Sequence, residues 1–146
     1  MYKDEIVHFT LSIISGTIVA LIFGNWWAVP VALLSGFLID LDHFFDYFKF
    51  TKFKRFDSKE FLSGKYFDYS NKVFLPLHGF EYSLVLIAIA LLMPSAAWWV
   101  LSLAVSLILH LIYDTISNKP IWPTYFLIYR ITKNFNHKTF DFKCQR

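Results

Sequence analysis

Cysteine is almost absent from this 146-residue chain: Cys144 stands alone, which excludes an internal disulfide and a thiolate zinc site. Charge is scarce too, at 17% of residues, where an ordinary soluble domain carries about 25%. Five Gly and five Pro are too few for a collagen-like or linker-rich chain. A net charge of +3 is too small to argue for nucleic acid as a partner. What is there is apolar: 56% hydrophobic and 21% aromatic, with a mean hydropathy of +0.46. That balance excludes disorder, a coiled coil and an ordinary soluble enzyme. The expected class is a small all-α integral membrane protein, one domain over 1–146.

The placement of charge says more than its amount. No Asp, Glu, Lys or Arg occurs from Ile6 to Ile39 or from Tyr82 to Tyr113, runs of 34 and 32 residues. Each is too long for one crossing, which needs ~20 residues. Gly24-Asn25 breaks the first run and Pro94-Ser95 the second, so the chain reads as two helical hairpins, a four-helix bundle with spans near 6–23, 26–43, 78–93 and 96–116. Trp26, Trp27, Trp98 and Trp99 stand at the two turns, where an aromatic belt would place them. All 14 Lys and Arg lie outside the hairpins. The positive-inside rule therefore sets both termini and the central loop on the cytoplasmic side of a bacterial or archaeal inner membrane. Asp4 and Glu5 precede the first apolar run and no small-residue site closes it, so the first helix reads as retained. From 44 to 77 basic and aromatic residues alternate, as in Phe53-Lys54-Arg55-Phe56, a composition suited to the membrane interface. The segment 119–146 repeats it, and Ile121 to Phe135 is expected to be a second surface-lying helix.

Several ionisable residues fall at the span ends. His8 opens the first span, and Asp40, Asp42, His43 and Asp46 close the second. His78 and Glu81 open the third, and His110 and Asp114 close the fourth. In a four-span topology all of these meet at one end of the bundle, with four of the five histidines among them. His110 and Asp114 are i, i+4, while His78 and Glu81 are i, i+3, so each pair is expected to share a helix face. Acids crowded in low dielectric repel and protonate unless a cation neutralises them. Imidazole with carboxylate and no thiolate suits zinc, manganese or iron. His8, Asp40, Asp42, His43, His78, Glu81, His110 and Asp114 make eight candidate ligands, more than one tetrahedral site can use, so two or more ions are expected. His8 and Asp40 are separated by 32 positions, as are His78 and His110, which suggests that the hairpins are distant repeats. No glycine-rich phosphate loop, Gly-x-Ser-x-Gly elbow or His-Glu-x-x-His run is present.

Leu38-Ile39-Asp40-Leu41-Asp42-His43-Phe44-Phe45-Asp46-Tyr47 resembles the signature of the membrane-bound metal-dependent hydrolase family, the LexA-binding inner-membrane hydrolases. The resemblance continues through Leu77-His78-Gly79-Phe80-Glu81, His110-Leu111-Ile112-Tyr113-Asp114, Asn118 and Tyr125 to Arg130. Ile39 stands where that family usually has Pro, and Glu81-Tyr82 where many members have Thr-His. The family is distantly similar to zinc phospholipase C, which implies a helical enzyme with clustered zinc.

The expectation is a metal-dependent hydrolase that cleaves a phosphoester in a lipid or lipid-linked substrate at the cytoplasmic face. Asp42, His43 and Glu81 are the expected catalytic groups, and Arg130 the expected phosphate-binding cation, being suited to bidentate contact. Two other classes fit the same residues: a non-catalytic membrane adaptor with a structural metal, and a metal-ion carrier. The carrier is disfavoured because the far halves of the spans hold only Ser, Thr and Asn as polar residues.

Overall fold

A computed structural model describes residues 2–118 and 123–139. They are mostly helical, with no strand among the described residues and one isolated bridge, Lys72 to Asn136. Helix α1 (Tyr2–Phe23) turns at Gly24, whose φ of +65° suits a residue without a Cβ. Asn25 Oδ1 accepts from Trp27 N at 3.1 Å and opens α2 (Ala28–Gly36). There the second segment bends: a 3₁₀ turn (Leu38–Leu41) leads into α3 (Asp42–Thr51). Two short helices follow, α4 (Ser58–Ser63) and α5 (Tyr66–Ser70). A loop over 71–79 leads to α6 (Phe80–Leu92), and a 3₁₀ turn (Pro94–Ala96) to α7 (Ala97–Asn118). Among the described residues the last α-helix is α8 (Leu127–Thr132), followed by a 3₁₀ turn (His137–Thr139).

Three of these segments are long and apolar enough to cross a membrane: Asp4–Phe23, Ala28–Thr51 and Pro94–Asn118. The fourth expected span is α6, whose 13 residues reach only ~20 Å, short of the ~30 Å hydrocarbon core. Exposed Leu21, Ile22, Leu91 and Leu92 on the helices, and Trp26 and Trp27 at the first turn, leave a strongly apolar outer surface.

Helix α7 is the hub, packing on α1, α2 and α6, while α1 also packs on α2. The contacts are made by small residues, as in membrane interiors, where close backbone approach replaces a hydrophobic driving force. On α1 the buried stripe is His8, Ser12, Ser15, Val19 and Ala20; on α2 it is Ala28, Ala32 and Gly36. A Cβ at Gly16 would sit 2.7 Å from Val29 Cα, and one at Gly36 would collide with the Ser12 and Ser106 hydroxyls. These glycines let α1, α2 and α7 approach closely enough for side chains at one end of the bundle to meet.

The 44–77 segment differs from a ribbon of rings lying in lipid. Phe44, Tyr47 and Phe48 share one face of α3 and close over Phe61 and Tyr66; with Phe50 and Phe67, seven of the segment's twelve aromatics form a small core of their own. Tyr47 is fully buried because its hydroxyl donates to Glu60 Oε2 at 2.8 Å and accepts from Asp57 N at 3.0 Å, tying α3 to α4. Phe53 and Tyr69 remain exposed. In the C-terminal segment the helix covers 127–132 among the described residues, with Arg130 and Tyr125 buried while Ile128 and Ile131 are exposed. Residues 119–122 and 140–146 of that segment, Cys144 included, lie outside the described residues.

Candidate metal centre

Two unbroken helices supply three of the candidate ligands. His8 projects from the first turns of α1; His110 and Asp114 project from successive turns of α7. Asp40 comes from the 3₁₀ turn after α2, and His43 from the start of α3. His78 comes from the loop that precedes α6. The structure thus brings together His8, Asp40, His43, His78, His110 and Asp114 from six points in the chain.

The centre of the cluster is four atoms. His78 Nε2 lies 3.1 Å from Asp40 Oδ1, 3.2 Å from His110 Nε2 and 3.7 Å from Asp114 Oδ2. His110 Nε2 lies 3.5 Å from both Asp40 Oδ1 and Asp114 Oδ2. Ligands bound at 2.0–2.2 Å in a tetrahedron stand roughly 3.4 Å apart. The separations among Asp40, His78 and His110, 3.1–3.5 Å, are those of such a shell, and Asp114 Oδ2 adjoins the two imidazoles at 3.5 and 3.7 Å.

The outer ring nitrogens decide what the inner ones can do. His110 Nδ1 is 2.8 Å from Gly36 O, a carbonyl that can only accept. His78 Nδ1 is 2.9 Å from Asp42 Oδ2, which also accepts from Leu77 N at 2.9 Å. Both rings therefore carry their proton on Nδ1 when neutral, and each turns a lone pair inward at Nε2. Two lone pairs 3.2 Å apart repel unless a cation or proton lies between them. A backbone carbonyl or carboxylate on the outer nitrogen is the usual support of a metal-bound imidazole.

Flanking donors widen the cluster. His8 stacks on His110 at 3.7 Å between ring centroids, and its Nε2 is 3.1 Å from Asp114 Oδ1 and 3.9 Å from Asp40 Oδ2. His43 Nε2 is 3.5 Å from Asp40 Oδ1, and its Nδ1 is 3.4 Å from the Tyr66 hydroxyl. Three sets of donors sit close enough to hold an ion: His8 with His110 and Asp114, Asp40 with His78 and His110, and Asp42 with His43 and His78. His8 Nδ1, Asp40 Oδ2 and Asp42 Oδ1 are buried without a hydrogen-bond partner. Such orphaned groups are costly, and a cation would satisfy them. The buried His/Asp cluster fits a metal ion on that ground and on its donor chemistry.

Two expected site residues stand elsewhere. Glu81 is not in the cluster, because Gly79 is extended (φ −134°, ψ 126°) and the helix begins only at Phe80. His78 and Glu81 therefore share no helix face. The Glu81 carboxylate instead accepts from Leu127 N at 3.0 Å and Ile128 N at 2.9 Å, capping the orphan donors that open α8. Arg130 is 1% exposed and faces no open space that a phosphate could enter. Its guanidinium donates to the carbonyls of Phe74 (3.0 Å), Leu75 (2.7 Å) and His78. Burial pulls its pKa below the ordinary value, opposed by the Asp42 and Glu81 charges.

Sequence reasoning undervalued other residues. Asp46, at the end of the second expected span, is buried and accepts from Phe74 N and Leu75 N at 2.9–3.2 Å. With Arg130 it staples the 71–79 loop, where Leu75 is held at a positive φ of 38°. Tyr125 donates to Asp114 Oδ2 at 3.4 Å while accepting from Asn118 at 3.2 Å. Burial and the Asp114 charge push that hydroxyl's pKa up, so it stays a donor. Glu5, one turn before His8, was used only to argue about a leader; it lines the cavity of about 340 Å³ beside the cluster.

Compared with protein-family models, curated proteins and solved structures, the chain matches none.

Proposed function

We propose that the chain is a membrane-embedded, metal-dependent hydrolase that cleaves a phosphoester in a lipid or lipid-linked substrate at the cytoplasmic face. One observation carries the reading: three donor atoms, Asp40 Oδ1 and two imidazole lone pairs fixed by outer hydrogen bonds, stand at the separations of a tetrahedral shell, with Asp114 Oδ2 adjoining both imidazoles, beside a cavity of about 340 Å³. His78, His110, Asp40 and Asp114 would hold a divalent ion, zinc by donor type. The second carboxylate oxygens of Asp114 and Asp40 face His8, which would hold a further ion.

When bound, the metal supplies Lewis acidity toward a phosphoryl oxygen and toward water. The chain's own residues supply the rest. Asp42 and the Gly36 carbonyl orient the two central imidazoles. His43, 20% exposed, is the imidazole most open to the cavity and is placed to take or give a proton at Nε2. In this reading a lipid headgroup would enter the cavity, with its acyl part among the exposed Leu and Ile side chains of the apolar helices.

The test is metal content and turnover in the purified full chain. Elemental analysis of His110→Ala is expected to show less metal per protein than wild type, and turnover of a short-chain phospholipid to vanish with it. A second variant, Asp114→Ala, should lose the same function, and the double substitution should add little, since groups acting as one unit are non-additive. Unchanged metal in His110→Ala, with only thermal stability lowered, would show a structural His–Asp pair and end the reading.

A further inference from the structure

The segment Ala28–Thr51 is long and apolar enough to cross a membrane, and its two ends differ. At the turn before α2, Trp26 and Trp27 stand exposed, with no Lys or Arg anywhere from Ile6 to Ile39. At the other end the chain leaves α3 at Thr51 and enters a tip, Lys52-Phe53-Lys54-Arg55-Phe56, every residue of which is exposed. Exposed rings that bracket a membrane-length segment fall where the two interfaces of a bilayer would lie. Only the tip adds cations to them.

The tip has a defined turn. Phe53 N donates to Phe48 O at 2.8 Å, which closes the end of α3. Lys52 and Phe53 are both held in the left-handed region, at φ of 55° and 58°, a conformation that is costly for a bulky side chain. Phe44, Tyr47 and Phe48 fold inward over Phe61, yet the Phe53 ring stays 73% exposed, parallel to Phe48 at 5.8 Å. A ring so placed meets water unless an apolar phase receives it.

Charge around the tip is one-sided. From 49 to 65 the chain carries six Lys and Arg against two carboxylates. Both carboxylates are engaged locally: Asp57 caps α4, and Glu60 receives Arg55 and the Tyr47 hydroxyl. The Lys49 ammonium sits over the Phe74 ring at 3.3 Å. Among the described residues, the ammonium groups of Lys52, Lys54, Lys59 and Lys65 are exposed and have no ion pair, hydrogen bond or ring contact. Unpaired cations around an exposed ring fit a negative surface with an apolar layer beneath it, as anionic headgroups over acyl chains provide. The tip directly follows a membrane-length segment, which favours a bilayer over an acidic protein as that surface.

We propose that the tip docks on anionic lipid of the surrounding bilayer, with Phe53 set into the acyl boundary and Lys52 and Lys54 among the headgroup phosphates. The inference rests on the membrane-embedded part of the function proposed above and is independent of its chemistry.

The experiment applies trypsin to the full chain in nanodiscs of phosphatidylcholine alone and of phosphatidylcholine with phosphatidylglycerol. Mass spectrometry reads cleavage after Lys52, Lys54 and Arg55, corrected for trypsin activity on a soluble peptide in the same sample. Cleavage is expected to be slower in the phosphatidylglycerol discs by roughly fivefold for each lysine engaged, the worth of one surface cation near anionic lipid. In the double variant Lys52→Gln, Lys54→Gln that ratio, read at Arg55, should fall toward one. Phe53→Ser should speed cleavage in both discs. Equal cleavage of the incorporated wild-type chain in the two discs would overturn the inference, as would a ratio unchanged by the double substitution or rates unchanged in Phe53→Ser. Protection by an added polyglutamate peptide where phosphatidylglycerol gives none would assign the tip to an acidic protein and overturn it too. Recovery of the chain outside the discs would overturn the membrane reading and this inference with it, a failure distinct from equal cleavage inside them.

Discussion

In the first hairpin the candidate ligand at the entry, His8, lies inside a continuous helix, and the candidate ligand at the exit, Asp40, lies in a 3₁₀ break. The second hairpin reverses this: His78 stands in a loop before α6, while His110 sits deep inside unbroken α7. The equal spacing of 32 residues therefore joins unlike elements. The two kinds of ligand are held differently. His8, His110 and Asp114 inherit their positions from 22-residue helices packed through Ser, Ala and Gly. Asp40 and His78 sit on irregular backbone, which cannot order itself, and the neighbouring peptide groups are pinned by Asp42, Asp46 and Arg130. A backbone segment without a ladder must find partners for its buried N–H and C=O groups. Here charged side chains are those partners.

The comparison breaks most sharply at Arg130. Removing it strands the carbonyls of Phe74 and His78 in a buried setting and leaves Leu75 O with His78 N as its donor at 3.1 Å. At about 1–3 kcal/mol for each unsatisfied group, Arg130→Met should cost at least about 2 kcal/mol. The expected outcome is a fall in melting temperature of many degrees together with loss of bound metal, since His78 moves with its loop. Arg130→Lys should not restore either property, because a point ammonium cannot serve three acceptors as the planar fork does. Wild-type metal content in Arg130→Lys would show that the loop orders without the fork.

Asp42 sharpens the same contrast at smaller cost. Asp42→Asn keeps the volume but offers His78 Nδ1 an amide instead of a charge, weakening the hold on ring tautomer and orientation. Outer partners of metal-bound imidazoles are typically worth 10–100-fold in affinity. A chelator competition on Asp42→Asn should read a loss in that range, with the melting temperature of the metal-free protein changed far less than in Arg130→Met. An affinity within twofold of wild type would mean that the tautomer is set elsewhere.

The two apolar hairpins were visible in the sequence because charge is excluded from long runs, a constraint that every residue of a run reports. The four histidines that meet were visible because polar groups at span ends are rare. The helix that stops short was not, since Gly79 breaks α6 between His78 and Glu81 and no periodicity test spans so short a distance. The aromatic core under α3 was missed for a different reason. Phe44, Tyr47 and Phe48 have helical spacing, but their partners Phe61 and Tyr66 lie beyond a turn, and lipid and protein make the same demand on such rings. Arg130 reads in sequence as one cation among several, because burial of a guanidinium is decided by carbonyls 52–56 residues away.

Glu81 carries the smallest expected effect and the cleanest separation of scaffold from centre. Its carboxylate receives Leu127 N and Ile128 N, the opening donors of a six-residue helix, so its work is capping. Glu81→Gln retains an acceptor oxygen and loses the charge that favours a helix N-terminus, a change of about 0.3–1 kcal/mol. Glu81→Ala removes both and should cost about 1 kcal/mol, the usual worth of an N-terminal cap. Neither substitution touches a donor atom of the cluster, so metal content and chelator-competition affinity should stay at wild type while the melting temperature drops slightly. Had Glu81 shared a helix face with His78, as their spacing first suggests, Glu81→Gln would instead lower metal affinity and leave stability alone. A loss of bound metal in Glu81→Gln would therefore return this residue to the site and place the start of α6 ahead of His78.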